Sequence, residues 1–343
     1  MANEIICIYC NSSKINKVGK RINKLKTIQR YKCKICKKTF TQSTKNQIKN
    51  RSYPEGIILN SISFYNLGYS QSEITKLLSK KHKIKVPQKT ISNWINEFKT
   101  IIPFNRLRSE AKQQFSPDNI IESYEFLHNN LNYKYQIHNF KLNYLTSNNE
   151  KFQRIKNYLE KIPSRDFPHH IFRPNPEVEN KSDRASQSSF KTLNIQPLNK
   201  QNLANKLAQL ALNLAKTNKE RHQSIQDFFI ANDSTTIAAE IPIYLTHDDL
   251  LYFSSRNFNI NPKDFKTPIT GHIDILQIRN SLIHILDYKP EANKQQPIEQ
   301  LTIYALALAS KTKLPLTLFK CAWFDENNYF EFFPLHVVYK RNK

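Results

Sequence analysis

The stretch Leu282-Ile283-His284-Ile285-Leu286-Asp287-Tyr288-Lys289 most constrains what this chain can fold into. It is a short apolar run that ends in charge, and it reads as a strand. Side chains alternate along a strand, so Asp287 and Lys289 share one face. Upstream, Gly271-His272-Ile273-Asp274 places Asp274 at the end of another short apolar run. If the two runs pair as a hairpin, Asp274 faces Asp287 and Lys289. Two carboxylates and a lysine converging in this way can bind a hard divalent cation and hold an attacking water, a constellation suited to phosphodiester hydrolysis. Downstream, Gln300 and Tyr304 are four apart and share one face of a helix.

At 343 residues the chain is long enough for two or three domains with separate cores. Its net charge of +24 is unevenly spread: residues 1–112 hold 24 Lys/Arg against five acids, which is +19 of the total. A basic N-terminal third predicts a polyanion partner, most simply DNA. A Lys-rich bias in composition would spread over the whole chain. The N-terminus lacks the charged and apolar regions of a secretory signal, and no stretch approaches a membrane span of about 18 apolar residues. The expectation is a soluble, cytoplasmic protein without a membrane partner. Four glycines and no Walker-type motif argue against ATP use.

Cys7-x2-Cys10 and Cys33-x2-Cys36 are separated by 22 residues. Paired knuckles let four thiolates converge tetrahedrally on Zn²⁺; two disulfides or a redox dithiol are the competing readings. The wider run Gln29-Arg30-Tyr31-Lys32-Cys33-Lys34-Ile35-Cys36-Lys37-Lys38-Thr39-Phe40 resembles the N-terminal zinc ribbon of insertion-sequence transposases, with Tyr31 and Phe40 packing beside the metal. Cys321 stands alone in an apolar segment and reads as a buried, inert thiol.

Residues 54–99 predict three helices. Ile57, Ile58, Ile62, Phe64 and Tyr65 lie on the first, which Gly68 can end. Ser70-Gln71-Ser72-Glu73 is a capping box opening the second, with Ile74, Leu77 and Leu78 as its apolar face. An extended linker, Lys81–Val86, leads to Pro87 in the first turn of the third, which carries Ile91, Trp94, Ile95 and Phe98. In a helix-turn-helix the third helix enters the major groove, and Gln88, Lys89, Ser92 and Asn93 are its polar face. A three-helix bundle used for protein contact is the plainer alternative. Gly68-Tyr69-Ser70-Gln71-Ser72-Glu73-Ile74 and Lys89-Thr90-Ile91-Ser92-Asn93-Trp94 also resemble transposase helix-turn-helix segments.

Residues 113–195 carry no assignable job. Tyr133–His138 and Phe140–Leu142 alternate enough for short strands, and 148–159 reads as a helix. The segment 164–189 is rich in Pro, Asn, Ser and charge and reads as a linker, with His169-His170 on a loop surface. From Leu203 a helical stripe of Leu203, Leu207, Leu210 and Leu214 continues, after a break near Thr217, towards Phe229. Thr236–Ile243 predicts a strand that holds Glu240, and 246–268 reads as an insertion.

The last third of the chain resembles the RecB-like branch of the PD-(D/E)XK nucleases. The matching elements are Gly271 to Asp274, then Asp287 to Lys289, then Gln300 to Tyr304, in family order. The resemblance implies an α/β restriction-endonuclease-like core with a mixed central sheet flanked by helices. It further implies Asp274, Asp287 and Lys289 as catalytic, with Mg²⁺ or Mn²⁺ on Asp274, Asp287 and His222. Glu240, Gln300 and Tyr304 are supporting residues by the same analogy. His222 falls where the family carries a helical His, although the preceding Gly-Thr of the family is missing. Some relatives in that branch hold an iron–sulfur cluster on four cysteines, a set this chain lacks outside the ribbon.

The expected organisation is multidomain: a zinc ribbon over 1–50, an all-α helix-turn-helix over 51–112, a connecting region over 113–195 and the nuclease over 196–343. The expected activity is metal-dependent cutting of DNA, leaving a 5′-phosphate, in a mobile element, defence or repair. A DNA-binding regulator with a vestigial core and an RNA-processing nuclease are the alternatives. A homodimer is compatible with cutting both strands, and no motif demands it.

Overall fold

The computed structural model describes residues 5–23, 26–41, 53–172, 184–188, 190–215 and 217–339, with backbone alone for 21–23 and 26–28. The N-terminal unit is a three-stranded antiparallel sheet in the order β1 (Ile15–Asn23), β2 (Lys26–Cys33), β3 (Thr39–Thr41). Its apolar content is small: buried Tyr31 and Phe40 stack at 5.8 Å beside Cys7 and Cys33. A cluster of that size cannot hold a fold by burial alone, so a cross-link has to do so.

Three helices follow: α1 (Glu55–Asn66), α2 (Gln71–His82) and α3 (Gln88–Phe98). Gly68, at φ 104°, ends the first, and its N–H bonds Tyr65 O at 3.0 Å. The capping box opening α2 forms, with Ser70 N on Glu73 at 2.7 Å and Glu73 N on Ser70 at 3.3 Å. Two details differ from expectation. The second helix runs on to His82, past Lys81, because Lys83 in the left-handed conformation is what stops it. Pro87 is the N-cap of α3 rather than part of its first turn. Ile74, Leu78, Ile91, Trp94, Ile95 and Phe98 are buried between the helices.

After α4 (Arg108–Gln114) the chain enters an eight-stranded sheet. Its strands are β4 (Ile121–His128), β5 (Leu131–His138), β6 (Leu198–Asn199), β7 (Thr236–Leu245), β8 (Ile269–Arg279), β9 (Leu282–Tyr288), β10 (Phe319–Phe324) and β11 (Tyr329–Phe332). The spatial order is β4-β5-β7-β8-β9-β10-β11-β6, with β9 and β10 parallel and every other neighbour antiparallel. A parallel pair needs a crossover, and α10 (Ile298–Thr312) supplies it. The remaining helices are α5 (Asn139–Thr146), α6 (Glu150–Lys161), α7 (Leu203–Ala211), α8 (Arg221–Asn232), α9 (His247–Ser255) and α11 (Leu335–Val338). Among the described residues no helix is long and apolar enough to cross a membrane.

The middle of the chain therefore has a job: β4 and β5 extend the sheet beyond β7. Residues 140–142, expected as strand, lie instead on α5. The alternation there is overridden from outside. His138 caps α5 by accepting Lys141 N–H at 3.3 Å, and the Lys141 amine bonds Ile230 O at 2.6 Å and Asp233 O at 2.8 Å at the end of α8. The expected linker is partly built as well: His169 sits in a short 3-10 turn, half-buried, while His170 is exposed. The expected insertion contains α9, whose Leu250 and Phe253 are buried in the main core.

The sheet is covered on both faces, which is why β9 is buried at every position after its first. Ile283 and Ile285 share a core with α6 and α10, whereas Leu286 and Tyr288 share one with α7 and α8. That second core runs without interruption into α1, α2 and α3. Buried side-chain hydrogen bonds reinforce the contact: Asn66 donates to Asn232 at 2.9 Å, and Asn232 to Ser63 at 2.8 Å. The three-helix unit is thus docked on the sheet, not tethered to it.

Candidate active site

The β8–β9 hairpin turns through Asn280 and Ser281, both at positive φ (52° and 58°), the combination a two-residue type I′ turn requires. That turn sets the register: Ile275 is the last residue of β8 paired with β9, opposite Leu286, and one step beyond it Asp274 and Asp287 come face to face. Asp274 does not end its strand as expected; β8 continues to Arg279, and the residue sits mid-strand. Its Oδ2 accepts the Tyr288 N–H at 3.0 Å. On the other side, Ala239 pairs with Ile275 and Ile241 with Ile273, which leaves Glu240 across from Asp274. Glu240 has φ 54°, a left-handed conformation rare within a strand for a residue with a side chain. Glu240, Asp274 and Asp287 therefore line up across three neighbouring strands.

Two helices complete the row. His222 Nδ1, on α8, lies 3.5 Å from Asp274 Oδ2. One turn along the same helix, Gln226 donates to Glu240. On α10, Gln300 donates to the Tyr304 hydroxyl at 2.8 Å. Lys289 Nζ, just past the end of β9, lies 2.7 Å from Asp287 Oδ2. His222, Glu240, Asp274, Asp287, Lys289, Gln300 and Tyr304 all line one cleft of about 180 Å³.

Crowding of like charge sets the protonation of this row. Burial, with Asp274 alongside, pushes Glu240 up to about 8 and Asp287 up to about 7. Burial also works to raise Asp274, but His222, Lys289 and the Tyr288 N–H outweigh it and hold this carboxyl below the usual range. The hydrogen bond to Asp274 raises His222. Burial would lower Lys289, yet Asp287 and Asp274 overcome it and keep the ammonium charged.

Further residues of this region escaped sequence reasoning. Gln226 is four from His222, a helical spacing that sequence alone offers. His272 is two from Asp274 on β8. It heads a chain of three imidazoles: His272 Nε2 to His128 Nδ1 at 2.9 Å, His128 Nε2 to His169 Nδ1 at 3.1 Å, and His169 Nε2 to Ile162 O at 2.9 Å. A carbonyl only accepts, so with neutral rings each Nε2 carries the proton. Tyr133 stacks on His272 with ring centroids 3.6 Å apart. Arg184 enters the cleft wall from a distant segment and had no local signal.

At the N-terminal unit, Cys7 Sγ lies 3.6 Å from Cys36 Sγ and Cys10 Sγ 3.5 Å from Cys33 Sγ, and no disulfide forms. All four sulfur atoms lie within 4.8 Å of one another. Tetrahedral zinc with thiolates at about 2.3 Å puts the sulfurs about 3.8 Å apart, so the cluster is compatible with a structural zinc site. Among the described residues this is the one group of three or more ligands drawn that close; the carboxylates and His222 of the cleft are spread wider. Cys321 is buried, its thiol pushed up by burial. On α3, Gln88, Lys89 and Asn93 are exposed and Ser92 half-exposed, away from the buried Ile91, Trp94 and Ile95. Comparison with family models, curated proteins and solved structures finds no match for this chain.

Proposed function

We propose that this chain is a metal-dependent nuclease that hydrolyses phosphodiester bonds in DNA. One observation carries the reading: Asp274, Asp287 and Lys289 meet Glu240, His222, Gln300 and Tyr304 in a single cleft, although they come from five different elements. A crossover β9–α10–β10 with the acid and lysine on the strand and Gln/Tyr on the helix agrees with the PD-(D/E)XK resemblance and its restriction-endonuclease-like core.

The cleft suits a hard divalent cation, Mg²⁺ or Mn²⁺. Asp287 is buried with Lys289 2.7 Å from its Oδ2, and three carboxylates crowd together without enough positive charge to ionise all of them. Asp274, Asp287 and His222 would hold the ion. When bound, it supplies positive charge to a phosphate oxygen and makes water more acidic. The remaining chemistry belongs to the side chains. Lys289 is held as an ammonium, so it stabilises the charge that grows on the phosphorus oxygens rather than acting as a base. Tyr304, fixed by Gln300, lines the substrate side. Water attacks phosphorus, the P–O bond to the 3′-oxygen breaks, and that oxygen takes up a proton.

DNA is the favoured substrate because the front of the chain is basic and presents Gln88, Lys89, Ser92 and Asn93 on the outer face of α3. In this reading zinc holds the ribbon through Cys7, Cys10, Cys33 and Cys36. The test is cleavage of supercoiled plasmid, end-labelled linear DNA and RNA with Mg²⁺ or Mn²⁺ by the wild type, Asp287→Asn and Lys289→Ala. Metal-dependent DNA cutting lost in both variants, with circular dichroism unchanged, supports the reading. Equal cutting by the variants sinks this active site, and cutting confined to RNA reassigns the substrate. A folded wild type that binds DNA and cuts nothing points to a regulator.

A further inference from the structure

The part of the cleft lined by the start of β8 has its own architecture. β9 pairs with β8 only from Ile275 onwards, so the first part of β8 lacks that neighbour. The segment 184–188 occupies the vacancy: Arg184 bridges to Thr270, and Ala185 N–H bonds Thr270 O at 2.9 Å. Main-chain pairing thereby clamps Arg184 at the rim, half-buried, with its side chain among the cleft's lining residues.

Two polar groups here lack the partners expected of them. Among the described residues the Arg184 guanidinium forms no ion pair with a carboxylate, and its one hydrogen bond is a long 3.4 Å contact to Asn129 O. Thr270 is 1 % exposed and lines the same cleft, and its hydroxyl has no hydrogen-bond partner among the described residues. A half-buried guanidinium and a buried hydroxyl left idle cost stability unless a ligand uses them. Both donate to anions, and the guanidinium's planar fork matches phosphate oxygens. The wall is also stiff, since Tyr133 is stacked on His272 and the imidazole chain behind it is anchored on Ile162 O.

We infer that Arg184 and Thr270 form a phosphate-binding subsite, holding a nucleic-acid phosphate adjacent to the one under attack at the carboxylates. The inference rests on the nuclease reading and deepens it: the cleft takes two successive phosphates, one against the acidic row and one against Arg184. Arg184 is then a positioning residue, not one that touches the reacting atoms.

The experiment uses the full chain with Lys289→Ala, which removes turnover, and a 5′-phosphorylated thymidine trinucleotide, too short to span α3 and the cleft together. Calorimetric titration is expected to show binding that Arg184→Gln weakens roughly 10- to 100-fold, the range for a lost charge-assisted hydrogen-bond pair. Arg184→Lys restores part of it, and Thr270→Val weakens it to a lesser degree. Equal binding by Arg184→Gln, or no binding by its parent, overturns the inference. Cleavage by the otherwise native chain separates it from the nuclease reading. Arg184→Gln raising KM with little change in kcat supports the subsite; unchanged KM overturns it and leaves the nuclease standing. Arg184-dependent binding by a chain that cuts nothing keeps the subsite and removes the nuclease.

Discussion

Gly271 lies directly beneath the Tyr304 ring: a Cβ placed on this glycine would stand 2.5 Å from Tyr304 Cε1 and 3.4 Å from Ala185 Cβ. The glycine is needed for space, since an ordinary side chain cannot share it with a ring that is 5 % exposed. Gly271→Ala should push Tyr304 off Gln300 and cost about 1–3 kcal/mol of stability by overpacking. Chemical denaturation measures the cost, and a drop in cleavage beyond the unfolded fraction reports the displaced ring. Unchanged stability and activity would mean the ring moves aside freely.

Lys141 is fully buried, with no carboxylate bonded to it among the described residues, and burial lowers its amine to about 7 from the ordinary 10.5. Between these values the unfolded chain carries a proton that the folded chain lacks. Stability from this group therefore rises as pH increases from about 7 towards 10.5, by at most about 1.4 kcal/mol per pH unit. Lys141→Met should lower stability overall, because Ile230 O and Asp233 O lose their donor, and should remove this part of the slope. Denaturation curves of both proteins between pH 7.5 and 9.5 test it; parallel slopes contradict the assignment.

Cys33→Ser should abolish zinc retention and unfold the N-terminal unit alone. The apolar cluster there is confined to a few side chains around Tyr31 and Phe40, while α1, α2 and α3 draw on a different core. Metal analysis should fall to background. Hydrogen exchange should accelerate within 5–41 and stay protected over 55–98. Loss of protection in both regions would show that the ribbon supports the helices.

Asn232→Ala should leave the buried Asn66 amide without its acceptor, at a cost of about 1–3 kcal/mol. The same contact predicts how a nuclease of this build cuts. The helices that would read DNA share a core with α8, the helix of His222, so cuts should fall at a narrow, constant interval from the bound sequence. Mapping the cut positions on a labelled fragment tests this; cuts scattered over many positions would indicate a loose connection.

Much of the candidate site was legible because the spacings that bring its residues together are local. Asp287 and Lys289 share a face by strand alternation, and Gln300 and Tyr304 share one by helical spacing. The cysteine pairs announce a tetrahedral cluster by spacing alone. The capping box at Ser70 and the glycine stop at Gly68 act within a few residues, so they survived into the fold unchanged. Phe140-Lys141-Leu142 misled for the opposite reason: its helix is held by the cap at His138 and by carbonyls on α8, far along the chain.

The sequence by itself determined the local elements, the close set of four cysteines and the residue types available for chemistry, since those depend on periodicity, caps and short spacings. Only the tertiary structure decided that β4 and β5 extend the sheet, that the three-helix unit docks on its second face, and that Arg184 fills the place left when β9 ends. Those arrangements follow from burying apolar faces and pairing backbone groups between segments remote in sequence, and no local pattern encodes which segments will meet.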